Sequence, residues 1–266
     1  MKIFLTIIIV SFILSAFAQG KSNLGKDLLA IEFSIWNSQD KKEVSEMIVL
    51  KAEKLTQQGS FYDANNELNR IKDCTYIDTN KLLYKKSLNH FMLGNYEDTY
   101  NLLQEIPDSL RLLNKEYITL WLFTLNELKQ WDKCKQILKT IIDTTAFQKE
   151  ELEKLPIGIK YKSPLKAMHL SGLFPGLGQY YAGYPTKGTT SILLHATFGF
   201  VLVESIISGL YVTSVIYGLN PILRFYVGGK QNGYHLTEDY NNKQISQLKN
   251  KYLRNINLLT NRFDTK

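Results

Sequence analysis

The feature that most constrains this chain is an apolar run from Gly188 to Gly229. Its 42 residues contain only two formal charges, Glu204 and Arg224. A transmembrane helix needs about 20 mostly apolar residues, so the run has the length of two such helices. The run therefore predicts where the protein resides more directly than it predicts any chemistry.

A turn near Ser208-Gly209 divides this run into two halves of similar length. We expect a hairpin of two transmembrane helices, at about 190–207 and 211–228. At a rise of about 1.5 Å per residue, each helix is close to the thickness of the hydrocarbon core. Pro221 is expected to kink the second helix, because proline lacks the N–H that the helix requires.

Three ionisable residues lie within the predicted hairpin: His195, Glu204 and Arg224. Charged groups inside a bilayer are functional candidates by default. Glu204 is close to the connecting turn, and the other two are level with each other near the opposite interface. All three can reach an interface, so anchoring of the helices is favoured over a proton or ion pathway.

A glycine- and aromatic-rich motif precedes the hairpin. Its residues, hereafter the glycine-rich motif, are Pro175, Gly176, Gly178, Gln179, Tyr181, Gly183, Lys187 and Gly188. The motif is not a phosphate loop, because Tyr181 stands where G-x-G-x-x-G needs its third glycine and no strand precedes it. We expect a short broken helix at about 165–182, lying at the membrane surface or spanning the membrane as a third helix.

The pattern P-G-x-G-Q-x-Y-x-G…K-G resembles the signature of an uncharacterised family of bacterial two-transmembrane domains. The similarity covers about residues 163–250. Domains of this kind are commonly attached to tetratricopeptide segments in exported proteins. The resemblance implies a membrane location and no established activity.

The N-terminal segment has the layout of a secretory signal peptide at residues 1–18. Lys2 precedes an apolar core, and Ala16 and Ala18 form a small-residue cleavage site. An uncleaved anchor helix is the alternative. Either one exports the residues that follow.

The first half of the chain shows a 35-residue step. The aromatic residues at this step are Phe61, Tyr96 and Trp131, and the leucines are Leu68, Leu103 and Leu138. Gly59 and Gly94 mark a turn before the aromatic residue, and Lys129 replaces glycine in the third copy. A period near 34 residues, with a turn between two helices, resembles a tetratricopeptide array of about three repeats.

The resemblance implies an all-α solenoid at residues 20–148 that binds an unknown partner protein. Polar residues on the first helix of each pair, such as Lys51, Lys86 and Asn89, are candidates for a concave groove. We expect a capping helix at 24–39. Cys134 occupies a small-residue position of the step and is expected to pack in the core.

The charge is unevenly distributed along the chain. Residues 23–150 contain 17 basic and 19 acidic residues, whereas residues 151–266 contain 13 basic and six acidic ones. The basic excess accompanies the apolar run, so anionic lipid headgroups are expected as partners and nucleic acid is not. A linker at 149–164 leads to the membrane domain at 165–230, and a basic amphipathic tail follows at 231–266. One face of that tail is suited to lipid or to the repeat array, and the side of the membrane on which it lies is left open.

The sequence therefore predicts an all-α protein of the bacterial cytoplasmic membrane with an exported repeat domain. The expected function is a protein–protein interaction scaffold at the cell envelope. The alternative is a small membrane module for transport or envelope biogenesis with a regulatory repeat domain. No enzyme, cofactor or metal site is expected, because no local nucleophile, carboxylate or Cys/His constellation is present.

Overall fold

The computed structural model describes residues 25–72, 75–141 and 152–263, the last three by their backbone alone. This part of the chain is all-α and contains no strand. It forms two compact units, one of residues 25–141 with 256–263 and the other of residues 152–255. The predicted signal peptide at 1–18 lies outside the described residues.

The first unit is a series of helices that pack mainly against helices close to them in the chain. Its helices are α1 (25–37), α2 (Lys41–Gln57), α3 (Phe61–Leu68), α4 (Thr79–Met92), α5 (Tyr96–Glu105), α6 (Asp108–Leu113), α7 (Lys115–Glu127) and α8 (Trp131–Ile141). The side chains of Asp40, Asp78 and Asn114 accept hydrogen bonds from backbone N–H groups at the starts of α2, α4 and α7. These side chains supply acceptors for donors that a helix start leaves unpaired.

Left-handed turns separate the helices at the 35-residue step. The φ angles of Gly59, Gly94 and Lys129 are 79°, 80° and 59°. The helix after each turn begins at the aromatic residue of the step, two positions later. Glycine adopts this backbone region without penalty, whereas Lys129 does so at a steric cost.

The leucines of the step form the core of the first unit. Leu68, Leu103 and Leu138 are at most 1% exposed. Cys134 is a fully buried free thiol, and burial raises its pKa to about 12. Such a thiol is a packing residue rather than a nucleophile.

Two of the candidate groove residues form hydrogen bonds within the first unit. Lys51 donates hydrogen bonds to Glu32 at 2.7 Å and to Glu67 at 2.6 Å. Asn89 is 1% exposed and accepts a hydrogen bond from Thr56. Both side chains are therefore engaged by their own chain, and Asn89 also lines a small cavity beside Thr56. The assignment of a partner-binding groove stays a prediction.

The second unit contains the glycine-rich motif and the apolar run. Its helical elements are α9 (Pro164–Leu173), α10 (Leu177–Ala182), α11 (Pro185–Ile207), α12 (Tyr211–Thr213), a π-helical segment (Ser214–Leu219) and α13 (Asn220–Phe263). Within the part of the chain that the structure describes, one helix, α11, has the length and apolar composition of a membrane span.

The helix boundaries differ from the expected ones in two places. Helix α11 begins at Pro185 rather than near 190, because proline is well accommodated in the first turn of a helix. The region 211–228 is not one regular α-helix, since the π-helical segment ends just before Pro221. Proline removes one backbone donor there, and a π-helical turn is a usual local accommodation.

Helix α13 continues through the boundary expected between the membrane domain and the tail. The apolar face expected for the tail contains Leu248, Tyr252, Ile256 and Leu259, each less than 5% exposed. Tyr252 also donates a hydrogen bond to the Pro156 carbonyl. This face is covered by protein, so it is not the surface through which the tail could lie on lipid.

Candidate functional site

The glycine-rich motif begins at the break between α9 and α10. Gly176 has a φ of 96°, so the chain reverses direction there without a side chain. A Cβ on Gly176 would lie 2.6 Å from the Gly188 carbonyl oxygen. A Cβ on Gly188 would in turn lie 2.5 Å from the ring of Tyr180. The two ends of the motif therefore touch each other, and both contacts require glycine.

Gly178 fixes the approach of α10 to α9. A Cβ at this position would overlap the Ala167 carbonyl oxygen and the Ser171 hydroxyl. The Gly178 N–H donates a 3.2 Å hydrogen bond to Ser171 Oγ. On α13, a Cβ on Gly233 would lie 2.8 Å from the same hydroxyl. Ser171 is thus enclosed by glycines of two other helices.

Gln179 joins three helices through its side-chain amide. It is fully buried; its Oε1 accepts from Ser171 Oγ and its Nε2 donates to the Gly229 carbonyl, both at 3.0 Å. A buried amide is stable only when both ends are paired. Gln179 has both partners, so its role is structural.

The segment just before α9 is held by hydrogen bonds to the motif and to α13. Tyr181 accepts a hydrogen bond from the Ser163 N–H at 3.1 Å, and Gly183 has a φ of 92°. Asn241 of α13 accepts from the Lys162 N–H at 3.0 Å and donates to the Lys162 carbonyl at 2.8 Å. Together these contacts make the motif a packing centre for α9, α10, α11 and α13.

One motif residue, Lys187, is exposed and takes no part in this packing centre. It lies at the rim of a cavity of about 840 Å³ between α11 and α13. The α11 face of the cavity is formed by Lys187, Thr190, Ser191, Leu194, His195 and Phe198. The facing side of α13 contributes Asn220, Pro221, Arg224, Phe225, Gly228, Gly229 and Asn232, and Gln179 and Ile216 complete the lining.

Of the three ionisable residues of the apolar run, two line this cavity and one does not. His195 and Arg224 both line it, as expected from their similar distance to the Gly209 turn. Glu204 does not line it and is exposed near that turn. His195 Nδ1 donates to the Ser191 carbonyl at 2.7 Å, which leaves Nε2 without a hydrogen-bond partner among the described residues.

Sequence reasoning did not anticipate the cavity or the roles of Ser171, Ser191 and Asn232. The signal available was helical spacing, since the six cavity residues of α11 recur every three or four positions. Among the described residues, no group of three or more His, Cys, Asp and Glu side chains could hold a metal ion.

Searches of the sequence against protein-family models, curated proteins and solved structures found no match.

Proposed function

We propose that this protein is an exported, membrane-anchored scaffold. A transmembrane hairpin of α11 and the helices after Gly209 anchors it in the bacterial cytoplasmic membrane. A tetratricopeptide-like array formed by α2 to α8 holds a partner protein on the extracytoplasmic side, and no catalysis is involved.

The observation that carries the membrane part is the exposed apolar surface of both arms. On α11, Phe200 is 69% and Ile207 80% exposed; on the other arm, Val212 is 74% and Val227 55% exposed. Soluble proteins rarely leave apolar surface of this extent uncovered, and lipid is the cover that suits residues on all sides of a hairpin. Only 6% of the most apolar window of α11 is buried.

The hairpin is also packed in the way that membrane helices pack. A Cβ on Gly218 would lie 2.7 Å from Leu202, so the arms approach at a glycine. Phe198 and Phe225 stack across the arms at 5.4 Å. Small residues that permit close backbone approach are typical of helix contacts in lipid.

The array part of the proposal is supported by the regularity of the first unit. Three turns with positive φ recur at Gly59, Gly94 and Lys129, and each is followed by a helix that starts at an aromatic residue. Stacked helical pairs of this kind present extended surfaces to other proteins. The assignment of a partner-binding role is by analogy of fold.

The membrane proposal is tested by a pair of lysine substitutions at equally exposed aromatic residues. Phe200 in α11 is 69% exposed and Tyr62 in α3 is 67% exposed. In water both substitutions would be nearly neutral, whereas a lysine near the bilayer centre costs about 2.5–3.5 kcal/mol. We expect Phe200→Lys to reduce the fraction of protein in the alkaline-washed membrane pellet and Tyr62→Lys to leave it unchanged.

Wild-type protein in the soluble fraction after alkaline washing would contradict the anchor. Reporter fusions after residues 150 and 240 test the topology, and a protein with two spans should place both reporters on the extracytoplasmic side.

The scaffold is tested by photo-crosslinking in cells from Tyr62 and Met92, both exposed in the array. We expect a discrete protein adduct from these sites, and none from either site would contradict a partner-binding role.

A further inference from the structure

The cavity between α11 and α13 changes character along its length. Most of its polar residues, including Lys187, Thr190 and Asn232, lie toward the end remote from the Gly209 turn, whereas Asn220 lies nearer that turn. Its apolar residues, including Phe198 and Ile216, lie nearer that turn. In a membrane hairpin, the polar end is at the interface and the apolar end is deeper in the hydrocarbon. This polarity matches that of an amphiphile.

The cavity stays open because one of its walls lacks side chains. Gly228 and Gly229 are consecutive on α13, and a Cβ on Gly228 would meet nothing within 4 Å. A Cβ on Gly229 would first meet Ser191 Oγ, at 3.7 Å. The volume of about 840 Å³ lies within the range of small-molecule sites, which is about 300–1,000 Å³.

The charged residues that line the cavity are all basic. Lys187 and Arg224 line it, and no acidic residue does. Neither cation forms an ion pair with any of the described residues. His195 adds a ring whose Nε2 has no partner there. A cavity lined by charges of one sign concentrates ions of the opposite sign, so an anion is the expected complement.

We propose that this cavity binds an anionic phosphate group, carried by a phospholipid headgroup or present as free phosphate. Lys187 and Arg224 bind the phosphate oxygens, and Asn232, Thr190 and Ser191 offer further polar contacts. Arginine suits this role because its guanidinium donates two parallel hydrogen bonds to a phosphate. For a lipid, the glycerol and first acyl carbons lie toward Phe198 and Ile216. The lipid source, though not the anion site, rests on the proposed membrane hairpin.

The proposal is tested on the full chain purified in detergent. Binding is measured by native mass spectrometry with added phosphatidylglycerol, phosphatidylcholine or inorganic phosphate. We expect a 1:1 phosphatidylglycerol adduct that is stronger than the phosphatidylcholine one. The Lys187→Gln/Arg224→Gln variant removes two charge-assisted contacts, so its affinity should fall by about tenfold or more.

Two further variants separate the cavity from general attraction to a basic surface. Lys166→Gln/Lys230→Gln removes the same number of charges from the second unit, at residues that do not line the cavity, and should bind like wild type. Gly228→Leu keeps every charge, fills the open space and should abolish the adduct. Equal loss in the Lys166/Lys230 pair, or full binding by Gly228→Leu, would overturn the proposal.

The ligand arms assign the source of the phosphate. Charge-dependent binding of phosphatidylglycerol, but not of inorganic phosphate, supports a lipid headgroup, and the converse supports a free anion. Absence of any adduct overturns the site. Alkaline extraction of the wild-type protein keeps this result separate from the anchor. Wild-type protein that stays in the membrane pellet but binds no phosphate would overturn the site and leave the proposed anchor standing.

Discussion

The two compact units use glycine for different physical reasons. In the first unit, Gly59 and Gly94 have positive φ, and a Cβ on either would meet nothing within 4 Å. In the second unit, Gly178 and Gly218 lack such a φ, but a Cβ on either would overlap another element. Gly59 and Gly94 therefore meet a backbone requirement alone, whereas the second unit combines the positive φ of Gly176 and Gly183 with a packing requirement at Gly178 and Gly218.

The difference predicts how each unit tolerates change. Lys129 occupies the third left-handed turn, so a backbone requirement can be overridden at a cost that the fold absorbs. A packing requirement such as that at Gly178 offers no such compromise, because the obstructing atoms include a backbone carbonyl. Helices of the second unit would have to separate to admit a single methyl group.

The largest expected effect follows from Gly178→Ala. The added Cβ overlaps Ala167 and Ser171, so α9 and α10 must move apart and the Gln179 hydrogen bonds are disturbed. We expect the second unit to lose about 3 kcal/mol, at the upper end of overpacking effects. Thermal unfolding in detergent, followed by far-UV circular dichroism, should show an earlier transition.

Two features of the chain provide controls for this measurement. Gly228→Ala places a methyl group in open space of the same unit and should not lower that transition, because alanine is favoured over glycine in a helix interior by about 0.5–1 kcal/mol. The chain has three tryptophans, Trp36, Trp121 and Trp131, and all of them lie in the first unit. Their fluorescence should therefore report an unaltered transition. Equal destabilisation by the two alanines would show that Gly178 is not a packing residue.

Sequence reasoning succeeded where the determinants are local. The turns at Gly59 and Gly94 were predictable because glycine before an aromatic residue, repeated at a fixed step, marks a helix–turn–helix. The all-α fold followed from the spacing of apolar residues such as Leu68 and Leu103. The break at Pro175 followed from the chemistry of proline and glycine alone.

Sequence reasoning failed where the determinants are tertiary. The ion pairs of Lys51 with Glu32 and Glu67 join three helices, so the pattern within one helix does not predict them. The glycine-rich motif reads as a membrane-surface element, yet Gln179 acquires its role from a carbonyl of α13 fifty residues away. The cavity is likewise a property of two facing helices, and neither helix predicts it alone.

A smaller effect is expected at the left-handed turns of the first unit. Lys129→Gly removes the steric cost of a side chain at positive φ, and we expect it to stabilise the unit by about 0.5–1 kcal/mol. Gly94→Ala introduces that cost and should destabilise by about 1 kcal/mol. Urea denaturation followed by tryptophan fluorescence measures both. Lys129→Ala keeps the strained backbone, so stabilisation by this control equal to that of Lys129→Gly would contradict the backbone explanation.

The smallest effect concerns the ion-pair network that joins α1, α2 and α3. Arg70 and Lys51 donate hydrogen bonds to Glu32. These bonds lower the pKa of the Glu32 carboxyl from 4.5 to about 2, and the bond from Arg70 has the larger effect. A lowered folded-state pKa gives stability that is present above the unfolded value and is lost as the pH falls from 4.5 toward 2. Glu32→Gln should therefore destabilise the first unit by about 0.5–1 kcal/mol at pH 7, a modest figure because Glu32 is partly exposed to solvent.

The pH profile distinguishes this electrostatic role from simple packing. The difference in unfolding free energy between wild type and Glu32→Gln should shrink as the pH falls from 5 to 2, because protonation removes the charge in the wild type as well. Glu46 is exposed on α2 and has no ion pair among the described residues, so Glu46→Gln is the matched control and should show little effect at any pH. If the difference in unfolding free energy between wild type and Glu32→Gln is constant with pH, the lost stability comes from packing. The first unit would then have no polar network at Glu32 whose contribution to stability compares with that of the Gln179 hydrogen bonds in the second unit.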